Sequence, residues 1–145
     1  MTRRRRCVLD SSVALAWVLP GEGDAATEAQ LDEVADAGAA APGLWPLETG
    51  NVLLQAEKAG RITPAERRQA LTTLAGLPVH IDPDTAAHAW SQTFGLAQAQ
   101  GLTVYDASYL ELALRLALPL ASLDRKLRGA ATACGLTVLG REAAA

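Results

Sequence analysis

The chain has 145 residues, half of them hydrophobic and only 4% aromatic, with a formal net charge of −3. That length suits a single domain, residues 1–145, whose core is large enough to need neither disulfide nor structural metal. No apolar run approaches the length of a bilayer span, and the basic start lacks a signal-peptide h-region and a small-residue cleavage site, so a soluble cytoplasmic protein is expected.

Residues 1–5 are expected to form a disordered basic start and residues 141–145 a tail. Cys7-Val8-Leu9-Asp10 reads as a short buried strand that ends on a carboxylate. Ser11 or Ser12 is the expected cap of the following helix, residues 13–19, which is apolar on nearly every side and stops at Pro20-Gly21. A strand, an acid at its C-terminal end and then a helix is the layout of an α/β active-site edge. Cys7 and Cys134 have no paired spacing and read as buried thiols.

A more polar amphipathic helix is predicted over residues 25–37, and a short strand over 39–41 ends at Pro42-Gly43. The next helix, residues 44–59, is expected to face Leu44, Leu47 and Leu54 inward. Glu48, Asn51 and Gln55, at i, i+3 and i+7, lie together on another face. Thr63-Pro64 with Glu66 forms a capping box for a helix ending at Gly76. Residues 77–81 make a third strand, and Asp82-Pro83-Asp84 leads into a helix carrying residues 86–100. His80 and His88 have no partner at metal spacing and take structural or surface roles. Trp17, Trp45 and Trp90 are scattered and read as core or interface bulk.

After Gly101 comes the stretch on which the chain is organised, Tyr105-Asp106-Ala107-Ser108-Tyr109-Leu110-Glu111-Leu112-Ala113. Ala107, Leu110, Ala113, Leu114 and Ala117 recur at the spacing of a buried helical face, with Ser108, Glu111 and Arg115 as a narrow stripe meeting water. Asp106 opens this helix, where an N-cap is its purely structural role. A strand over 119–122 leads to Leu123-Asp124, a basic helix follows over 125–134, and residues 135–139 form a last strand. The alternation calls for an α/β fold: a mostly parallel central sheet of four or five strands with helices on both faces.

In a parallel sheet Asp10 and Asp124 reach the same edge, and helix openings bring Asp106 alongside; Glu48 joins if its helix packs beside the first strand. Four carboxylates together repel and raise one another's pKa, a conflict that a divalent cation resolves. With oxygen ligands and no Cys or His cluster, that cation should be hard, Mg²⁺ or Mn²⁺, which suits phosphodiester hydrolysis by a metal-activated water. Ser12 and Ser122, each two residues from an acid of the set, are placed to orient a carboxylate or a water. With these acids neutralised the balance turns slightly positive. The clusters Arg3-Arg4-Arg5-Arg6 and Arg125, Lys126 and Arg128 then become candidates for a phosphate-facing rim.

Val8-Leu9-Asp10-Ser11-Ser12, Leu47-Glu48-Thr49-Gly50-Asn51-Val52-Leu53, the Asp106 stretch, and Leu120-Ala121-Ser122-Leu123-Asp124-Arg125-Lys126-Leu127 resemble the four acidic motifs of PIN-domain ribonucleases. Their order, spacing and total length are most similar to the VapC toxins of bacterial toxin–antitoxin pairs. The resemblance implies a three-layer PIN-like sandwich and a Mg²⁺- or Mn²⁺-dependent endoribonuclease, often a homodimer. It further implies a small VapB-type antitoxin whose tail covers the acidic pocket. By motif position Asp10 and Asp106 are the principal metal ligands, Glu48 and Asp124 complete the site, and Asn51 matches an asparagine that often follows the second acid. Ser122 stands where relatives frequently carry Thr, and the run of four arginines has no place in the family pattern.

Two other readings compete. A receiver-like signalling domain needs an acid pair at its first strand, whereas Asp10 is flanked by Leu9 and Ser11. A PIN-like module that binds RNA or protein without cutting is the stronger rival. Apolar faces in excess over residues 13–54 point to a groove for an antitoxin helix and a dimer surface.

Overall fold

The computed structural model describes residues 5–140, so most of the basic start and the whole tail lie outside the described residues. Five strands, β1 (Cys7–Leu9), β2 (Ala39–Ala41), β3 (Val79–Ile81), β4 (Leu120–Ala121) and β5 (Val138–Leu139), form one sheet in the order β3-β2-β1-β4-β5. Every pairing is parallel, with Val8 opposite Ala40 on one side and Leu120 on the other. This settles the expected four or five mostly parallel strands as five, all parallel, in an α/β three-layer sandwich. The three inner strands are wholly buried, which explains their unbroken apolar sequences: helices cover both faces and leave no polar side to alternate with.

The helices are α1 (Ser11–Val18), α2 (Ala25–Ala37), α3 (Trp45–Lys58), α4 (Pro64–Ala75), α5 (Thr85–His88), α6 (Phe94–Gln100), α7 (Val104–Leu116) and α8 (Arg125–Ala133). The Thr63–Glu66 capping box of α4 forms as its sequence requires. Asp24 and Thr27 build another at α2. Among the described residues no helix is long and apolar enough to cross a membrane.

Several local expectations are corrected. Neither Ser11 nor Ser12 caps α1: the N-cap position falls on Asp10, Ser11 is already helical, and the Ser12 hydroxyl turns back to the Asp10 carboxylate. On α3 the inward line is Trp45, Thr49, Leu53 and Ala56, while Leu47 is 77% exposed and Leu54 also faces solvent. Leu44 packs against the core as expected, whereas Leu47 and Leu54 sit on adjacent rows of a helix that is apolar on more than one face. The helix expected over 86–100 forms, with a π-helical turn, Ala89–Thr93, inserted between α5 and α6; Trp90 in that turn is almost wholly exposed, so it is no core residue.

On α7 the buried face is wider than its spacing suggested and rotated. Ser108 and Glu111 are buried, whereas Leu114 and Ala117 are exposed. Burial of Glu111 is made possible by Arg115, which donates to it at 2.8 and 3.0 Å and also grips Asp82 after β3 at 3.2 and 2.6 Å. Gly101 closes α6 at φ 65°, a left-handed turn that suits a residue without Cβ, and Thr103 then caps α7. Cys7 is buried, and its thiol is pushed up to about 12 by desolvation.

Candidate active site

The strands end together, and their first loop residues are held by the neighbouring strand. Asp10 N–H donates to Ala121 O at 2.9 Å and Ser122 N–H to Leu139 O at 3.0 Å. Because β1 lies at the centre of the sheet, Asp10 emerges from the deepest point of this edge and remains only 4% exposed. A carboxylate at the N-cap position normally accepts a helix N–H, but that of Asp10 makes no such bond. Instead its Oδ2 accepts the Ser12 hydroxyl at 2.6 Å and the Ser122 hydroxyl at 2.8 Å.

Desolvation pushes the Asp10 carboxyl up to about 6; the two serine hydroxyls pull against this, and the charges of Glu48 and Asp106 add to it. Asp106 also lies above the usual carboxylate range, through desolvation first and the charge of Asp124 second, with Lys126 opposing. The charges of Glu48 and Asp106 thus reach Asp10, and that of Asp124 reaches Asp106. Among the described residues no three His, Cys, Asp or Glu side chains come close enough to hold a metal ion by themselves. A cation here would complete its coordination with waters or phosphate oxygens, as Mg²⁺ does when it binds through one or two carboxylates. The donor set fits a hard divalent ion: carboxylates, raised pKa values at two of them, and no thiol or imidazole.

Each acid is delivered differently. Asp106 sits in the first turn of α7, and its capping role is taken by Thr103, whose hydroxyl accepts the Asp106 N–H at 3.0 Å. Its carboxylate is thereby released from the structural role that the sequence alone allowed. Asp124 does cap α8, its Oδ1 accepting from Leu127 N–H at 2.9 Å. Glu48, half-buried on α3, accepts the phenol of Tyr109 on Oε1. Asn51 lies exposed on α3 three residues on.

Tyr109 was not among the residues selected from sequence. It is fully buried, and burial together with Glu48 raises its pKa far above the ordinary phenol value, so it stays a neutral donor. The signal was available: a tyrosine three residues after Asp106 in an otherwise apolar run must find a partner for its hydroxyl.

The basic rim divides. Arg125 is exposed, and Lys126 is exposed with Nζ 3.3 Å from Gly101 O. Arg128 donates to Ser122 O at 2.7 Å and Leu139 O at 3.0 Å, tying β4 to β5. Gly140 is packed so close that a Cβ there would meet Ser122 O at 2.8 Å. Of the arginine run, Arg3 and Arg4 lie outside the described residues and Arg6 pairs with Glu33.

The Asp10 shift predicts how the metal-free protein responds to pH. A carboxyl whose folded pKa lies above its unfolded value binds its proton more tightly in the folded state. Its stabilisation is therefore complete below the unfolded pKa near 3.8 and lost as pH rises through about 6. At two pKa units the loss is about 3 kcal/mol, or about 6–10 °C in melting temperature for a chain this long. Metal-free wild type should gain on Asp10→Asn between pH 7.5 and pH 5 in thermal melts. A difference between the two that stays constant over that range would contradict the shift.

The family of the PIN domain matches residues 7–132 of the chain. Among curated proteins none matches significantly. Nine chains of solved structures match, among them the following two. PAE2754 from Pyrobaculum aerophilum is 25% identical, with a TM-score of 0.67 over 92% of this chain and 89% of its own. FitAcB from Neisseria gonorrhoeae is 17% identical, with a TM-score of 0.63 over 92% of this chain and 96% of its own, a likeness of fold alone.

Proposed function

The chain belongs to the PIN-domain family, and from that premise we propose that it is a divalent-metal-dependent endoribonuclease, the VapC-like toxin of a type II toxin–antitoxin pair. PIN domains are generally metal-dependent nucleases, and the observation that carries the reading here is Asp10. A buried carboxyl, raised by desolvation and by the charges of Glu48 and Asp106, is costly to keep unless a cation joins it. Asp10 and Asp106 are the principal ligands in this reading, with Glu48 and Asp124 completing the set and Asn51 beside it. A bound Mg²⁺ or Mn²⁺ supplies an activated water and stabilises charge on the phosphorus centre. Arg125 and Lys126, exposed at the opening of α8, are placed to meet the RNA backbone, with Lys126 already close enough to act on Asp106. Arg128 contributes by holding the β4 edge that carries Ser122.

The proposed partners follow the same premise. Two small pockets of mixed apolar and acidic lining adjoin at Trp17, one with Ala16, Leu31, Glu28 and Asp32 and the other with Val18, Pro20, Ala70 and Glu66, and this face is where the reading places side chains of a VapB-type antitoxin. For a homodimer, an apolar groove beside the π-helical turn, lined by Leu96 and Leu114 with Phe94 exposed nearby, offers a surface in the second half of the chain. We place the protein in the cytoplasm with its RNA.

Partner-free protein should cleave structured RNA in Mg²⁺ or Mn²⁺, stop in EDTA and resume when Mn²⁺ is restored. RNA that is bound and left intact in either metal would reject the nuclease and support a binding module.

A further inference from the structure

Three of the four acids at this edge share a pattern: each gives one carboxylate oxygen to the protein. Asp10 commits Oδ2 to Ser12 and Ser122, Glu48 commits Oε1 to Tyr109, and Asp124 commits Oδ1 to Leu127 N–H. The donors have little choice. The Ser12 oxygen accepts Leu123 N–H at 2.9 Å and the Ser122 oxygen accepts Asp124 N–H at 3.0 Å, so the remaining proton of each hydroxyl is directed at Asp10. Two O–H donors occupy both lone pairs of Oδ2. Among the described residues no donor reaches Asp10 Oδ1, Glu48 Oε2 or Asp124 Oδ2.

We infer that Ser12, Ser122 and Tyr109 are positioning residues that restrict Asp10 and Glu48 to one ligating oxygen each, and that this restriction makes the site prefer Mg²⁺ or Mn²⁺ over Ca²⁺. The inference rests on the metal-site reading above and goes beyond it. Ca²⁺ gathers roughly six to eight oxygens in flexible geometry and often takes both oxygens of one carboxylate. To chelate with Asp10 it must displace two hydroxyl donors, and with Glu48 a buried phenol. Mg²⁺ asks for near-octahedral geometry and retains waters, so single oxygens on fixed carboxylates suit it. The same hydroxyls tie the ligands to one another. Ser12 and Ser122 each bridge Asp10 to the β4–α8 turn that carries Asp124, so a shift of that turn is felt at Asp10.

Calorimetric titration of Mg²⁺, Mn²⁺ and Ca²⁺ into the full chain tests this without reference to catalysis. Tyr109→Phe and Ser122→Ala should each weaken Mg²⁺ and Mn²⁺ about 10-fold, the lower end of what outer partners of a metal ligand contribute. Ca²⁺ should weaken less, so its affinity relative to Mg²⁺ rises several-fold. Ser122→Thr, which keeps the hydroxyl, should behave as wild type. Urea unfolding of each variant checks that the fold is retained, and Ser12→Ala serves as a second variant should Tyr109→Phe fail it. Equal weakening of all three ions, no weakening, or a wild type that holds Ca²⁺ as tightly as Mg²⁺ would overturn the inference while leaving the metal site in place. A wild type that binds none of the three would overturn the metal-site reading itself.

Discussion

Replacing Asp10 or Asp106 by asparagine should lower the rate of RNA cleavage by at least about 100-fold, because loss of a partner that only orients a metal ligand already costs about 10–100-fold. The amide preserves shape and removes the charge, so the comparison isolates charge and ligation. The two variants should differ in stability. At pH 7.5 the metal-free Asp10→Asn protein should match or exceed wild type, since a 4% exposed carboxyl pushed up to about 6 is held ionised at a cost. Its Nδ2 would replace one oxygen, leaving the other to accept from Ser12 and Ser122. Asp106→Asn should be closer to neutral, because that carboxylate is less buried and the cap of α7 is Thr103. Cleavage assays with urea unfolding on the same preparations separate the outcomes: undiminished cutting by both variants would reject these residues, and lost cutting with lost fold would not support them.

Where one interaction dominates a segment, its sequence was readable. Thr63-Pro64 with Glu66 had one local solution, and α4 adopts it. The all-apolar β1 and β2 could only be inner strands of a covered parallel sheet, and the acid after β1 then had to emerge at its C-terminal edge. Failures cluster where two rows of similar residues compete. Leu47 and Trp45 are both large and apolar at the start of α3, and which row turns inward depends on the packing of α1 and α4 against it, which local periodicity does not encode. Asp106 was read as the N-cap of its helix, but that place falls to Thr103, whose hydroxyl accepts the Asp106 N–H.

The site was legible as a set of acids and illegible as a hydrogen-bonded assembly. Asp10, Ser12 and Ser122 are separated by up to 112 residues, yet meet on one carboxylate oxygen. Sequence spacing suggested that the serines would assist; it could not show that both converge on Oδ2. Tyr109 and Glu48 lie 61 residues apart on helices whose packing alone brings them together. The same holds for Glu111, read as part of a water-facing stripe: Arg115, four residues along, offsets its burial, and Arg115 is itself held by Asp82, 33 residues before it.

That triad gives the largest stability effect expected in the chain. Among the described residues Arg115 is the sole cation paired with both Asp82 and Glu111, which are 7% and 5% exposed, and its removal leaves two buried carboxylates without a counter-charge. Arg115→Met keeps the aliphatic stem and should destabilise by about 3 kcal/mol, the low end for breaking a buried pair because the guanidinium is itself partly exposed. The penalty should depend on pH. Hydrogen bonding to Arg115 holds Asp82 below the usual carboxylate range, so its stabilisation is present above the unfolded pKa and lost as pH falls through the lower folded one. Wild type and Arg115→Met should therefore differ most near pH 7 and converge below about pH 4, where the stranded carboxyls take up protons. Adding Glu111→Gln to Arg115→Met should recover part of the loss, giving a double-mutant coupling of about 1 kcal/mol or more. Because Arg115 fastens α7 to the loop after β3, and α7 carries both Asp106 and Tyr109, the single variant should also bind Mn²⁺ more weakly even at temperatures where it is fully folded. A penalty independent of pH, or Mn²⁺ affinity unchanged in a destabilised protein, would show that the triad supports the sheet edge without framing the acids on α7.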